Sequence, residues 1–225
     1  MAHILDKPIW AALTTHQRAL DRGDARARAF DARHAYFAAA PDASDESQEA
    51  LSALIPPGGA IWLLETGAWP APQGARYGGE PGPVVQMVAT RFTPSAPHPQ
   101  IEPLSDADAA EMTELVRLTE PGPWLERTHQ LSPFLGIRRD GRLAAMAGER
   151  LHLDGYAEAS AVCVHPDCQG QGLGAAMTRA IASRIVARGE TPFLHCYAGN
   201  TGAIALYERL GFEPRRTMTL TVLTR

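Results

Sequence analysis

The chain has 225 residues, 45% of them hydrophobic, and a formal net charge of −4. That is enough apolar material for one large core or two small ones, and the mild acidity gives no electrostatic basis for binding nucleic acid or an acidic membrane. No apolar run is long enough to span a bilayer, and Met1-Ala2-His3-Ile4-Leu5-Asp6 lacks the basic and hydrophobic stretches of a secretion signal, so a cytoplasmic protein is expected.

In chain order, Pro8 to Leu20 and Ala25 to Ala39 read as helices and Glu46 to Leu54 as a third short one, while Ile61 to Glu65 and Val84 to Arg91 read as strands. No catalytic constellation stands out in this part. Pro94, Pro97 and Pro99 then suggest an extended linker, dividing the chain into residues 1–97 and 98–225. After it, Ile101 to Leu104 forms a short strand and Ser105 starts a helix whose apolar face is Met112, Leu115 and Val116. Phe134 to Arg138 and Leu143 to Leu151, joined around Asp140-Gly141, form a hairpin.

Ala159 to Val164, a run of small and β-branched residues stopped by His165-Pro166, reads as a buried strand. Gln169-Gly170-Gln171-Gly172-Leu173-Gly174 follows. Leu173, Met177, Ile181 and Ile185 then recur every four residues, so the glycine turn opens directly into an amphipathic helix that Arg188-Gly189 closes. Thr191 to Tyr197 is a further strand, Ala203, Leu206, Tyr207 and Leu210 fall on one helix face, Gly211 ends that helix, and Met218 to Leu223 is the last strand.

Glycines at a helix N-terminus leave backbone N–H groups open to a phosphate, where the helix dipole favours negative charge. Ala175-Ala176 stand where a P-loop needs Lys-Ser/Thr, which leaves triphosphate and magnesium chemistry unprovided for. The spacing Gly170-x-Gly172-x-Gly174, set back from its strand by His165 to Gln169, does not fit a dinucleotide fingerprint either. A pyrophosphate is the simplest ligand, with tight helix packing as the bland alternative.

Here the sequence resembles the GNAT superfamily of acyl-CoA-dependent N-acyltransferases. The family's pyrophosphate motif, Q/R-x-x-G-x-G/A, is matched by Gln169, Gly172 and Gly174, and its second motif, N-x-x-A-x-x-x-Y-x-x-x-G-F, by Asn200, Ala203, Tyr207, Gly211 and Phe212. The resemblance implies a mixed α/β fold, its mostly antiparallel sheet flanked by helices and its two central parallel strands splayed apart, with an N-terminal α/β region in front. It also implies acetyl-CoA as co-substrate. The strand Val162-Cys163-Val164 would hydrogen-bond the pantetheine arm, Asn200 and Ala203 would hold it from the other side, and the amides of Gln169, Gly170, Gln171, Gly172, Leu173 and Gly174 would hold the pyrophosphate. Tyr207 would direct its hydroxyl at the thioester sulfur. Residues 1–97 resemble the first part of two-part glycine N-acyltransferase-like enzymes, a degenerate copy serving either as a wall of the acceptor pocket or as a packing element.

Direct attack of an amine on a thioester needs a base, a proton for the leaving thiolate and a donor for the oxyanion. Tyr207 is the expected acid. Glu158, at the position of the glutamate in histone-modifying members, and Glu149 on the preceding strand are the candidate bases, either one better suited if burial raises its pKa, with a water chain as the alternative. The acceptor is a primary amine on a small molecule or a peptide, and Pro121-Gly122-Pro123-Trp124 falls where the family's acceptor loops lie. Cys163, Cys168 and Cys196 read as reduced thiols, His165 and His195 have no evident catalytic partner, and the absence of H-E-x-x-H and C-x-x-C spacings leads us to expect no metal. The alternatives are an acyl-CoA-binding module that senses without catalysing and a nucleotide-binding domain using the same loop.

Overall fold

A computed structural model describes residues 3–96 and 98–225. Its helices are α1 (Pro8–Thr14), α2 (Asp45–Leu54), α3 (Ala109–Thr119), α4 (Leu173–Ala187) and α5 (Thr201–Arg209). Its strands are β1 (Arg28–Ala29), β2 (Ala38–Ala39), β3 (Ala60–Glu65), β4 (Arg76–Tyr77), β5 (Gly82–Val88), β6 (Ile101–Pro103), β7 (Leu135–Arg139), β8 (Arg142–Leu153), β9 (Tyr156–Val164), β10 (Thr191–Tyr197) and β11 (Glu213–Thr224). Among the described residues no helix is long and apolar enough to cross a membrane.

Nine strands form one sheet in the order β3-β11-β5-β10-β9-β8-β7-β6, with β4 added beside β11. All pairings are antiparallel except β9 with β10, which run parallel. Alternation along the strands assigns the two faces. On β8, Ala145 and Ala147 pack under Leu173, Met177, Ile181 and Ile185 of α4, while Met146 packs with Met112, Leu115 and Val116 of α3. On β10, Leu194 and Cys196 meet the α5 side, while Phe193 joins Leu5, Ile9 and Leu13 around α1. Thus α4 and α5 cover one face, and α1 and α3 the other. The four-residue stripe on α4 is buried as its spacing predicts, each side chain worth about 2 kcal/mol relative to exposure.

The sheet does not respect the division expected at the proline-rich stretch. Pro97, where the sequence sets the boundary, lies outside the described residues, as do Met1 and Ala2 of the N-terminal stretch. On either side of that boundary the strands interleave, because β5 pairs with both β10 and β11 and β3 pairs with β11. Burial of Val84, Met87 and Val88 between these neighbours ties the two portions into a single sheet.

Ala25 to Ala39 departs from the expected helix. Its alanines favour a helix intrinsically, but Ala27, Ala29, Phe30, Ala35, Phe37, Ala38 and Ala39 are all buried, which no single helix face can satisfy. The segment instead folds back as β1 and β2, paired Arg28 to Ala39 and Ala29 to Ala38. Asp31 fixes the reversal by accepting the Arg33 backbone N–H at 3.0 Å and the guanidinium groups of Arg22 and Arg33. Pro8 to Leu20 likewise breaks into α1 and a short 3-10 turn at Arg18–Leu20.

Gly211 ends α5 in the left-handed region, φ +93°, and a Cβ there would lie 2.5 Å from the Arg91 carbonyl oxygen. A Gly211→Ala variant should therefore lose about 2 kcal/mol of stability. Chemical denaturation reads this, and an unshifted midpoint would contradict it.

Candidate active site

The site begins where the parallel pair ends. β9 and β10 are joined through Thr191 with Tyr156, Pro192 with Ala157, and Phe193 with Glu158, and no pairing continues beyond that register. The far edge of β10 stays paired to β5 out to Tyr197 with Val84, so β10 is held straight. β9 is the strand that turns away. Ala161 has a positive φ of 51°, and the pairing of β9 with β8 shifts register between Met146 and Gly148 and again between Glu149 and His152. At Gly148 the neighbouring strand β8 passes so close to the Phe134 ring that a Cβ would sit 2.5 Å from it. The result is a slot between Ala159–Val164 and Leu194–Tyr197, the splay expected for the central strands.

The glycine loop closes one end of the slot. Gly170 and Gly172 take φ +75° and +78°, and Gly172 is the N-cap of α4. Backbone bonding resumes with the Ala176 N–H donating to the Gly172 carbonyl, which leaves the amides from Gly170 to Ala175 without a backbone carbonyl among the described residues. A row of free amides at the positive end of a 15-residue helix has the geometry and charge that suit an anion. Asn200 caps α5 by accepting the Ala203 N–H at 3.1 Å, so its side-chain NH2 remains to donate into the slot.

A cavity of about 170 Å³ occupies the splay. Val162, Cys196, Asn200, Ala203 and Tyr207 from β9, β10 and the α5 region line part of it. Phe37, Trp62, Leu64 and Val84 from the N-terminal part and Pro121, Gly122 and Pro123 from the loop after α3 line another part. The Tyr207 ring leans on Phe212, with centroids 6.1 Å apart, and among the described residues its hydroxyl has no hydrogen-bond partner. Burial, with the Cys196 and Cys163 thiols nearby, holds that hydroxyl well above its ordinary pKa, so it carries its proton throughout the working range. Burial also pushes the Cys163 thiol up to about 12, leaving it an inert core group.

The two glutamates differ from expectation. Burial on its own would raise both carboxyls, but each is surrounded by donors that outweigh it. Glu158 is fully buried. It accepts from Arg150 Nε at 2.8 Å, Arg150 Nη2 at 2.5 Å and His195 Nδ1 at 2.7 Å, and these partners hold it down at about 2. Glu149 faces α4, where His152, Arg188 and Arg184 hold it at about 2 as well. Carboxylates so strongly paired are poor proton acceptors.

Three polar residues at this site had no clear role in the sequence: Arg150, His195 and Gln86. Gln86, wholly buried on β5, accepts from Arg215 Nη1 at 2.8 Å and donates to the Leu5 carbonyl at 2.9 Å. A guanidinium only donates and a carbonyl only accepts, so the Gln86 amide is oriented. Its NH2 therefore faces His195 Nε2 at 3.0 Å, which makes Nε2 an acceptor and places the ring proton on Nδ1, toward Glu158. Asp6, Arg215, Gln86, His195, Glu158 and Arg150 form one continuous chain of bonds. Its members come from both ends of the sequence, and no local motif could signal it.

A family model described as FR47-like protein matches residues 134–221. The chain is 42% identical to a solved structure from Novosphingobium aromaticivorans assigned to the GNAT family of acetyltransferases, with a TM-score of 0.94 over 100% of this chain and 99% of that one. It is also 38% identical over 97 residues, 40% of its length, to the ribosomal protein bS18-alanine N-acetyltransferase of Escherichia coli, of which it spans 65%. With a mycothiol acetyltransferase of Streptomyces avermitilis it shares 34% identity over 97 residues, 42% of this chain and 30% of that protein. Identity of 42% over the whole length of a solved GNAT-family relative shows that the chain belongs to the GNAT family.

Proposed function

We propose that the protein transfers an acetyl group from acetyl-CoA to a primary amine by direct attack. The carrying observation is the slot opened beyond Phe193 and Glu158, with the unpartnered, protonated hydroxyl of Tyr207 at its wall. The pyrophosphate would lie on the free amides of Gly170 to Ala175, and the pantetheine arm would run along Val162, Cys163 and Val164 opposite Asn200. Tyr207 would give its proton to the departing thiolate. The solvent-connected cavity leaves the amine's proton to water, because Glu158 and Glu149 are both committed to cations. A sensor of acyl-CoA would have no use for a proton donor beside the sulfur, and the Tyr207 hydroxyl stands at the cavity wall.

Calorimetric titration of the purified protein with acetyl-CoA, with ATP and NAD as competitors, tests the reading. Saturable acetyl-CoA binding that neither competitor displaces is expected. Folded protein that binds no acetyl-CoA would remove the basis for the whole assignment.

A further inference from the structure

We infer that Arg150 is the acceptor-selecting residue and that the acceptor is an α-amino acid, bound through its carboxylate, with an apolar side chain; this rests on the acyltransferase reading above. Twenty residues line the cavity and none is Asp or Glu, so the guanidinium of Arg150 is the fixed charge that it shows to a ligand. The carboxylate that neutralises it from behind, Glu158, is wholly shielded from solvent.

Arg150 is pre-organised. Its Nε and Nη2 are engaged by Glu158, and the guanidinium lies 4.7 Å from the centroid of the Phe37 ring. A guanidinium has five N–H donors in a planar fork. Two are spent on Glu158, and among the described residues Nη1 has no partner, so the end-on edge formed by Nη1 and the second Nη2 hydrogen remains free. That edge matches the two oxygens of a carboxylate, and little side-chain entropy is lost in using it. A guanidinium can serve more than one carboxylate, as Arg138 of this same chain shows by bonding Glu102, Asp108 and Glu111.

The rest of the chamber specifies the body of the ligand. Phe37, Trp62, Leu64, Val84 and Leu220 offer aromatic and branched aliphatic walls without a hydrogen-bonding group beyond the indole. A guanidinium and no exposed acid also disfavour the ammonium form of the incoming amine, which must be neutral to attack.

The test compares amines that differ in the group offered to Arg150, with kcat/KM referred to the concentration of neutral amine so that their different basicities cancel: L-phenylalanine, L-phenylalaninamide and phenethylamine, with the leucine series beside them. Thiol release from acetyl-CoA is followed for each. In the wild type, kcat/KM for the carboxylate member should exceed that for the other two by at least about tenfold, as expected for a bidentate charged contact. Removing Arg150 alone would strand a buried carboxylate, so the informative variant is Arg150→Met combined with Glu158→Gln, checked for a native denaturation profile. There the carboxylate preference should fall to about one, with the change seen mainly in KM. Equal rates for all three wild-type substrates, a preference for the amide, or an unchanged ratio in the double variant would overturn the inference. So would acetyl-CoA binding without acetylation of any amino acid, whereas failure to bind acetyl-CoA at all would instead overturn the acyltransferase reading.

Discussion

Tyr207→Phe is expected to lower kcat by about 100-fold, the lower end of what a positioned general acid contributes, while leaving the acetyl-CoA dissociation constant within about twofold. The ring contact with Phe212 survives the change, and the hydroxyl makes no bond within the fold that would be lost. Stability should accordingly change little, because the hydroxyl faces the cavity and makes no bond within the fold. The pH profile separates an acid from a merely nearby phenol. In the wild type the raised pKa of Tyr207 keeps the acid form present well past neutrality, so loss of the acid cannot limit the rate near pH 8. The measurement is steady-state thiol release together with calorimetry. A variant with wild-type kcat would exclude Tyr207 as the proton donor, and one that loses affinity in proportion to rate would make it a binding group.

Glu158→Ala should be the most destabilising single substitution at the site, costing about 3–5 kcal/mol, the usual penalty for breaking a buried ion pair from one side. Arg150 and the His195 Nδ1–H would be left facing a void. Glu158→Gln, which retains one acceptor oxygen, should cost less. The same carboxylate makes a pH prediction whose sign follows from linkage. Its folded pKa, about 2, lies below the unfolded value of about 4.3. Its stabilising contribution is therefore complete above the unfolded pKa and is lost as pH falls toward about 2. Glu149, also held at about 2, acts in the same direction. Denaturation midpoints of the wild type should fall steeply between about pH 5 and pH 2, and the Glu158→Gln variant should show a shallower slope. Parallel slopes in the two proteins would show that Glu158 does not set the acid limb.

The site divides into what neighbouring residues announce and what only folding assembles. The glycine loop, the cap at Asn200 and the placement of Tyr207 on α5 depend on spacings of a few residues, and such spacings are visible in a sequence. The chemistry of Glu158 depends on Arg150 and His195, brought to it by a hairpin and by a parallel strand pairing, so the raised pKa that would have suited a base is replaced by a lowered one. Phe37 was read inside a helix because alanines surround it. In the fold it bridges to Trp62, which makes it a wall of the cavity and a platform for Arg150. Gln86 looked like one polar residue in an apolar strand, and only the approach of Leu5, Arg215 and His195 gives it a role.

The interleaving of β5 between β10 and β11 has a consequence for biosynthesis. Gln86 precedes its partner His195 by 109 residues, which at typical translation rates is roughly 5–20 seconds of elongation. Throughout that interval both edges of β5 are without their native neighbours, while Val84, Met87 and Val88 form an apolar segment of the kind that templates wrong pairings. A nascent chain therefore cannot complete its central sheet in the order in which it emerges. Chaperone demand should be concentrated in this window, and a ribosome stalled before β10 would hold an aggregation-prone product rather than a folded half.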